Sequence, residues 1–457
     1  MPSATVPPAL KTAYRAPGWP LLGNVPMLAG DGLGYLTGLL RRHGDLVSYA
    51  ILGWPALMTG HPDAFKHLLQ DNARNYHKRV IEYEMLRPLV GQGLLTSDGD
   101  LWLRQRRLMQ PAFHRQRLLP FGDLIANLAH DLAQRWESAR RAGQPVSVDH
   151  DLAELTLRVA GLTLMSVDLS GPEARAFSQA FGEANETFGF QNVFSQLWPQ
   201  LPLPATRRRQ HALAVMDTYV HGLIAARRRQ PEANWPADLL SMLLQARDEE
   251  TGEGMSDRQV RDEVLTILLA GHETTANGLT WTLYLLSQHP AVFERLRAEL
   301  DRVLGGRLPG MADLGELVYT RNVFQEALRL YPPAWSVARG AESEDEVLGY
   351  RIPAGATVTL NLHALHTDPR FWDQPEQFDP DRFTPERSAA RHKYAYLPFI
   401  TGPRKCIGDQ LAMLEGVLIL ATLAARFRPQ LAAGQKVAPQ PLITLRPRYG
   451  MRMTLAA

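Results

Sequence analysis

One helical pattern, running unbroken from Ser256 to Gln288, limits what this chain can fold into more than any other stretch. Ser256-Asp-Arg-Gln259 has the spacing of a capping box, in which a hydroxyl and a carboxamide satisfy each other's backbone N–H groups. His289-Pro290 supplies the stop, because proline cannot continue the ladder of hydrogen bonds. The helix so defined has about 33 residues and spans roughly 50 Å, enough to cross a whole domain. Its apolar part, Val264 to Leu286, contains His272, Glu273 and Asn277, so it reads as a helix buried in protein rather than a membrane span. At its centre stands Ala270-Gly-His-Glu-Thr-Thr275. Small residues at 270 and 271 let a bulky group approach the backbone. A mid-helix threonine such as Thr274 bonds back to the carbonyl one turn earlier, which can bend the helix. Two meanings stay open for Glu273 and Thr274: a satisfied polar kink, or a proton relay beside a cofactor face.

The second constraint is Phe399-Ile-Thr-Gly-Pro-Arg-Lys-Cys-Ile-Gly408, which carries Cys406, the one cysteine in 457 residues. Gly402 and Gly408 bracket it, Pro403 stiffens the approach, and the run from Asp409 to Leu420 is a mostly apolar helix. A thiol on a tight loop at a helix N-terminus, between basic neighbours, is favoured as the thiolate. Such a group is a soft ligand or a nucleophile; a buried cysteine serving as a small hydrophobe is the ordinary alternative. With a single cysteine no intrachain disulfide framework exists, which fits a reducing interior.

Around these two features the chain reads as one large, mainly α-helical domain with a small sheet component, spanning residues 1–457 without an obvious linker. Leu46–Leu52 and Pro55–Thr59, separated by Gly53-Trp54, have a hairpin signature. Helices are expected over 31–44, 62–70, 98–110, 117–142, 148–166, 172–190, 205–230, 291–304 and 314–331. Asn72 to Gly93 reads as an irregular loop, and Thr367 to Ala390 as a Pro/Asp-rich meander. Strands are expected from Val347 to Leu362 around the turn Pro353-Ala-Gly355, and Leu442 to Leu455 as a closing hairpin turned near Tyr449-Gly450. The runs Arg207-Arg-Arg209 and Arg227-Arg-Arg229 read as solvated helix ends. Residues 1–30 are proline-broken, lack an apolar run of signal or anchor length, and read as an extended surface arm. These features point to a soluble, cytoplasmic protein without a membrane anchor. The 49 Lys+Arg against 47 Asp+Glu leave a net charge of +2, which gives no reason to expect a nucleic-acid partner.

Further constellations carry weight. Glu326 and Arg329 put opposite charges at i and i+3 among Phe324, Leu328 and Leu330, as a buried pair would. Arg382, in Phe378-Asp-Pro-Asp-Arg-Phe383, is a candidate third member. Trp102 and Arg106 are four apart and share a helix face. Arg106, Arg339 and Arg404 each sit in apolar contexts, and arginine suits bidentate pairing with carboxylates. No Walker loop, dinucleotide glycine fingerprint or G-x-S-x-G elbow is present. His363 and His366 have short spacing but lack a third zinc ligand nearby.

Taken together and in this order, the motifs resemble those of the cytochrome P-450 superfamily of haem-thiolate monooxygenases, soluble bacterial type. Phe399-x-x-Gly402-x-Arg404-x-Cys406-x-Gly408 looks like its haem-binding loop, and Ala270-Gly271-x-Glu273-Thr274 like its oxygen-activating helix. Glu326-x-x-Arg329 with Arg382 looks like its structural charge triad, and Trp102-x-x-x-Arg106 like its propionate-binding helix. The resemblance implies the cytochrome P-450 fold, with haem b (iron protoporphyrin IX) between the long central helix and the Cys-loop helix. It implies Cys406 as axial iron ligand, Phe399 packed against haem and sulfur, and Gly402 and Gly408 admitting the macrocycle. Trp102, Arg106, Arg339 and Arg404 would hold the propionates. Thr274 would hydrogen-bond the bound oxygen, with Glu273 helping to deliver protons.

The same resemblance implies hydroxylation or epoxidation of a hydrophobic small molecule (fatty acid, terpenoid, steroid-like or polyketide) with O2. The pocket would be lined by 75–95, the 180–200 link with Phe188 and Phe190, Leu268–Thr275, Ala334–Ala338 with Trp335, and the turn at Ile443-Thr444. No fused reductase follows Cys406, so a ferredoxin or flavodoxin with its reductase would supply electrons, and Arg104, Arg107 and Lys405 could form a basic docking patch. A peroxide-driven peroxygenase and a non-catalytic haem-thiolate sensor are the alternatives; intact Glu273 and Thr274 speak against both.

Overall fold

A computed structural model of the chain describes residues 10–188, 192, 195, 198, 200–247 and 252–456. The first nine residues of the N-terminal arm, and Phe190 of the 180–200 link, lie outside the described residues. Two compact units are formed. One comprises the chain up to Val80, Ser336–Pro375 and His392–Lys405; the other comprises Ile81–Trp335, Glu376–Arg391 and the chain from Cys406.

The first unit is built on a six-stranded sheet. Its strands run, edge to edge, Tyr14–Arg15, Leu46–Ile51, Trp54–Thr59, Thr357–Asn361, Ser336–Ala341 and Tyr76–His77. The Leu46–Ile51 and Trp54–Thr59 strands pair antiparallel through a two-residue turn, Leu52 (φ 49°) and Gly53 (φ 83°). Both positive φ values match the twist of the flanking strands, as tight hairpins require. Phe65, Leu68, Val358, Leu360 and Leu365 form the fully buried core against this sheet. Helix Val25–His43 accompanies it, with a break in helical geometry at Asp31.

The second unit is helical and organised on the long helix, Asp257–Gln288. The Ser256 side chain accepts from Gln259 N at 3.3 Å, and Gln259 Oε1 accepts from Ser256 N at 2.8 Å. Helices Val148–Met165, Pro204–Arg228, Val318–Leu330 and Asp409–Ala424 pack against it. The Asp409–Ala424 helix is apolar around its circumference and buried along most of its length, as such a helix must be. Glycines set the spacing of three of these helices. A Cβ on Gly416 would lie 2.1 Å from the Phe324 ring, and one on Gly278 would lie 3.1 Å from Leu328 and 3.3 Å from Phe324. A small sheet (Arg428–Leu431, Arg452–Ala456, Val146–Ser147) and the ladder Pro439–Pro441 with Leu445–Pro447 complete the unit.

Four expectations are corrected. The stretch 72–93 is not irregular throughout; it contains the helix Ile81–Val90, which tolerates Pro88 near its end. Leu442–Leu455 does not close on itself. Leu445–Pro447 pairs with Pro439–Pro441, and Arg452–Ala456 with Arg428–Leu431. Prolines 439, 441 and 447 lack the N–H groups a wider ladder needs, so that pairing stays two-stranded. The arginine runs are not wholly solvated, because a helix turns one residue in three inward. Arg209 is buried and donates to Ser195 O at 2.9 Å, and Arg227 is buried in a bidentate pair with Asp238 at 2.8 and 2.9 Å. Finally, the arm is helical from Val25 onward rather than extended to residue 30.

Glu263, on the first turns of the long helix, gives a pH-dependent stability. It is fully buried, accepts from Leu94 N at 3.0 Å, and burial pushes its carboxyl up to about 8. A raised folded-state value favours the neutral acid. Its contribution is complete below the unfolded carboxyl value and is lost as pH rises through about 8. Glu263→Gln is therefore expected to flatten the decline of urea midpoints between acid and pH 8, by a few kcal/mol at about 1.4 per pKa unit. Parallel slopes for the two proteins would refute it.

Candidate functional site

Between Val260 and Leu286 the long helix is buried on nearly every residue, with one interruption at its centre. Ala270 is exposed, and Gly271 and Thr274 are half-exposed. These three residues share one side of the helix. A Cβ on Gly271 would meet only Ala160 Cβ at 3.6 Å, an ordinary contact, so protein packing does not demand a glycine there. Thr274 Oγ1 donates to Ala270 O at 2.6 Å, and Thr156 Oγ1 donates to His272 O at 2.8 Å. Two carbonyls of the helix centre, two residues apart, thus take an extra side-chain donor, the usual means by which a hydroxyl loosens a helix locally.

Glu273 precedes Thr274, about 100° around the helix, and faces different surroundings. Its Oε1 accepts from Asn185 Nδ2 at 2.5 Å. Asn277 donates to Thr444 Oγ1 at 3.2 Å beside it. Burial pushes the Glu273 carboxyl up to about 7; hydrogen bonds from Thr444, Asn185 and Asn277 and the charge of Arg446 oppose that rise. The carboxyl therefore holds and releases a proton near neutrality. It borders a cleft of about 690 Å³ also lined by His150, His272, Asn277, Glu186 and Arg446. Arg446 pairs with Glu186 at 3.1 Å. His272 is buried and held neutral, its value lowered to about 4 by burial, with its ring bonded to Leu268 O at 2.8 Å.

Cys406 is exposed and forms no disulfide. It stands three residues before Asp409–Ala424, whose N-cap is Gly408. A Cβ on Gly408 would have only Phe113 within reach, at 3.8 Å, so here too the protein itself does not require a glycine. Arg106, on helix Gly99–Met109, is half-buried. Burial pulls its guanidinium below the usual value, while the charges of Cys406 and Asp409 hold it up. Trp102 lies on the same helix one turn earlier, half-buried. Farther along the Cys406 helix, Glu415 is buried and hydrogen-bonded by Thr275; burial raises its carboxyl well above the usual range.

The Glu326 carboxylate is fully buried. It accepts from Arg329 Nε and Nη2, both at 2.7 Å, and from Arg382 Nε at 3.2 Å. Asp379 N donates to it at 3.0 Å, and Arg329 Nη2 also reaches Gln377 O at 2.9 Å. The three charged groups meet, and the meander 376–391 is fastened to the Val318–Leu330 helix through them.

Of the other candidates, Phe399, Gly402, Arg404, Lys405 and Arg339 belong to the first unit, and Arg104 and Arg107 to the second. Gly402 has φ 74°, and a Cβ there would lie 1.8 Å from Leu69 O. Its glycine is thus demanded by local backbone, a reason different from room for a macrocycle. Ile400 has φ 51°, a strained conformation for a β-branched residue and of the kind that clusters at functional loops. Phe399 and Arg404 are half-buried, and Lys405 and Arg107 are exposed. Arg339 is buried on strand Ser336–Ala341 and donates to Ala338 O at 2.8 Å. Arg104 donates to Glu253 O at 3.3 Å.

Asn185, Arg446 and Glu415 carry no local signal that marks them, and Thr444 is marked only as part of the expected pocket turn. Their importance comes from partners far along the chain: Asn185 bonds the Glu273 carboxyl across 88 positions, and Thr444 bonds Asn277 across 167. A residue-by-residue reading has no means of pairing such positions.

Comparison with known proteins fits this geometry. A family model described as cytochrome P450 matches residues 15–451. Cyclooctatin synthase of Streptomyces melanosporofaciens is 39% identical over 437 residues, 94% of this chain and 92% of the relative. Cyclooctat-9-en-7-ol 5-monooxygenase of the same organism is 37% identical, covering 91% and 89%. Pentalenene oxygenase of Streptomyces avermitilis is 34% identical, covering 97% of each.

Proposed function

The chain belongs to the cytochrome P450 family and is a monooxygenase of that family; from there we propose that it oxidises a terpenoid, using haem b held by Cys406 and electrons from a separate ferredoxin or flavodoxin with its reductase. The balance is one O2, two electrons and two protons per substrate, giving one hydroxyl or epoxide oxygen and one water. A thiolate-held haem supplies activation of dioxygen, because the thiolate donates electron density toward O–O cleavage.

The observation that carries the reading is the opening at Ala270, Gly271 and Thr274 in an otherwise buried helix, in the same unit as an exposed Cys406. The residues fit a large flat group: small side chains on the long helix, Gly408 without a packing reason, and Arg106 influenced by the charge of Cys406. In this assignment Cys406 is the axial ligand, and Trp102 and Arg106 bind propionate. Phe399, Gly402, Arg404 and Arg339 join the set by their places in the family's motifs. Thr274 Oγ1 presents a hydroxyl on the open side. Glu273 takes up protons from the cleft beside Arg446 and passes them toward Thr274. The terpenoid assignment is supported by the three relatives, two of whose names refer to cyclooctatin compounds and one to pentalenene. No described helix is long and apolar enough to cross a membrane, and a cytoplasmic location goes with this reading. A peroxide-driven reaction takes up no net protons from solvent, so it does not need a buried carboxyl bordering a cleft such as Glu273.

Thr274→Ala tests the reading. Haem content and substrate-induced spectral shifts should match the parent, while product formed per electron falls by about a hundredfold as electrons leave as hydrogen peroxide, the lower end of general acid–base contributions. Unchanged coupling would remove Thr274 from the relay. Full turnover with peroxide and none with a redox partner would replace the monooxygenase route by the peroxygenase one.

A further inference from the structure

The connector from Gly91 to Ser97 is laid on the long helix with no slack. Gly91 has φ 59°, and a Cβ there would lie 2.0 Å from the Asp262 carboxyl. A Cβ on Gly93 would lie 2.1 Å from Thr266 Oγ1 and 2.6 Å from Asp262 O. Two carboxyl groups of the long helix hold the connector by its backbone: Gln92 N donates to Asp262 Oδ2 at 2.8 Å and Leu94 N to Glu263 Oε2 at 3.0 Å. Asp262 is itself fixed by Arg261 Nη1 at 2.8 Å, and Arg261 Nε reaches Asp217 on the Pro204–Arg228 helix at 2.8 Å.

The connector in turn grips the Gly99–Met109 helix through one residue. Gln105, 2% exposed, donates from Nε2 to Gln92 O at 2.8 Å and accepts at Oε1 from Ser97 Oγ at 2.5 Å. Both capacities of the carboxamide are used, so Gln105 fixes the roll of that helix as well as its distance. Arg106 is the next residue, about 100° around the helix, and it feels the charges of Cys406 and Asp409.

We propose that Gln105 and Asp262 are positioning residues for Arg106: the Asp262–Gln92–Gln105 linkage sets the orientation from which Arg106 holds the anionic edge of the cofactor. This rests on the reading of Arg106 as a cofactor-binding residue. Neither positioning group touches the cofactor; each acts through the helix that carries Arg106. The long helix therefore serves twice, offering the cofactor an open face at Ala270–Thr274 and orienting its charge clamp from the other end.

The test uses haem-loaded protein and two readouts: haem transfer to excess apomyoglobin, and amide hydrogen exchange at Gln92 and Leu94. Gln105→Ala and Asp262→Ala are expected to speed haem loss by about tenfold and to speed exchange at Gln92, as loss of a buried hydrogen bond should. Asp262→Asn, which keeps an oxygen for Gln92 N–H, should rescue both. Arg106→Ala should speed haem loss and leave the Gln92 amide protected. The deciding measurement is the Gln105→Ala/Arg106→Ala double variant, which should lose haem no faster than Arg106→Ala alone, because one group acts through the other. Additive losses would overturn the proposal. Unchanged haem loss in Arg106→Ala would instead remove the cofactor role of Arg106, and the inference with it. Should Gln105→Ala not fold, Gln105→Glu replaces it, since it keeps the acceptor for Ser97 and loses the donor to Gln92.

Discussion

Cys406→Ser is expected to abolish monooxygenase turnover and to remove the red-shifted Soret band that a reduced, CO-bound haem shows only with thiolate ligation. The argument is chemical before it is structural. Serine replaces a soft, ionisable sulfur by a hydroxyl that stays protonated, so the electron donation that drives O–O cleavage disappears. The structure predicts that little else changes. Cys406 is exposed and stands ahead of the Gly408 N-cap, so the substitution opens no cavity in the Asp409–Ala424 helix. Stability of the haem-free chain should stay within about 0.5 kcal/mol of the parent, the ordinary range for exposed positions. Arg106 would lose the negative charge that holds its guanidinium up, but it keeps Asp409. A Cys406→Ser protein that retained the red-shifted band would overturn the ligand assignment, and with it the role of the whole Phe399–Gly408 loop.

The parts of this molecule that were legible in its sequence are those written in short range. Ser256 and Gln259 cap one helix end, and His289-Pro290 close the other, so the long helix could be bounded to within a residue. Gly53 marks the hairpin because its φ of 83° is needed there. Thr274 back-bonding to Ala270 is a property of one helical turn. What stayed hidden depends on partners far along the chain. Nothing near Arg452 says that its strand joins Arg428–Leu431 rather than the preceding strand. Nothing near Arg227 says that Asp238 and Met165 O will bury it. Gly91 and Gly93 read as loop residues, whereas the first is dictated by the Asp262 carboxyl and the second by Thr266 Oγ1 and Asp262 O, on a helix far along the chain. Glu273 was visible as an acid in an apolar helix. Its proton affinity near neutrality was not, because that arises from burial set against Asn185, Thr444 and Arg446.

Glu326→Ala should be strongly destabilising. The carboxylate and Arg329 are both fully buried and Arg382 is nearly so, so three ionised groups share one desolvated spot with one negative charge between two positive ones. Removing that charge leaves two guanidinium groups facing each other without the carboxylate that lies between them. Breaking a buried pair in this way costs about 3–5 kcal/mol, far more than the net worth of the intact pair. It also frees Asp379 N, and the meander that Asp379 and Arg382 anchor should become an early site of proteolysis. The pair Arg302–Glu316, 3.5 Å apart with both side chains more than half exposed, is the internal control. Glu316→Ala should change stability by less than about 1 kcal/mol. Glu326→Gln keeps the shape and one acceptor oxygen but not the charge, so it should fall nearer to Glu326→Ala than to the parent if electrostatics dominates. Guanidinium unfolding midpoints for these three variants decide the matter: a Glu326→Ala protein within about 1 kcal/mol of the parent would mean that water or relaxation neutralises the cluster, and that the meander is held by packing instead.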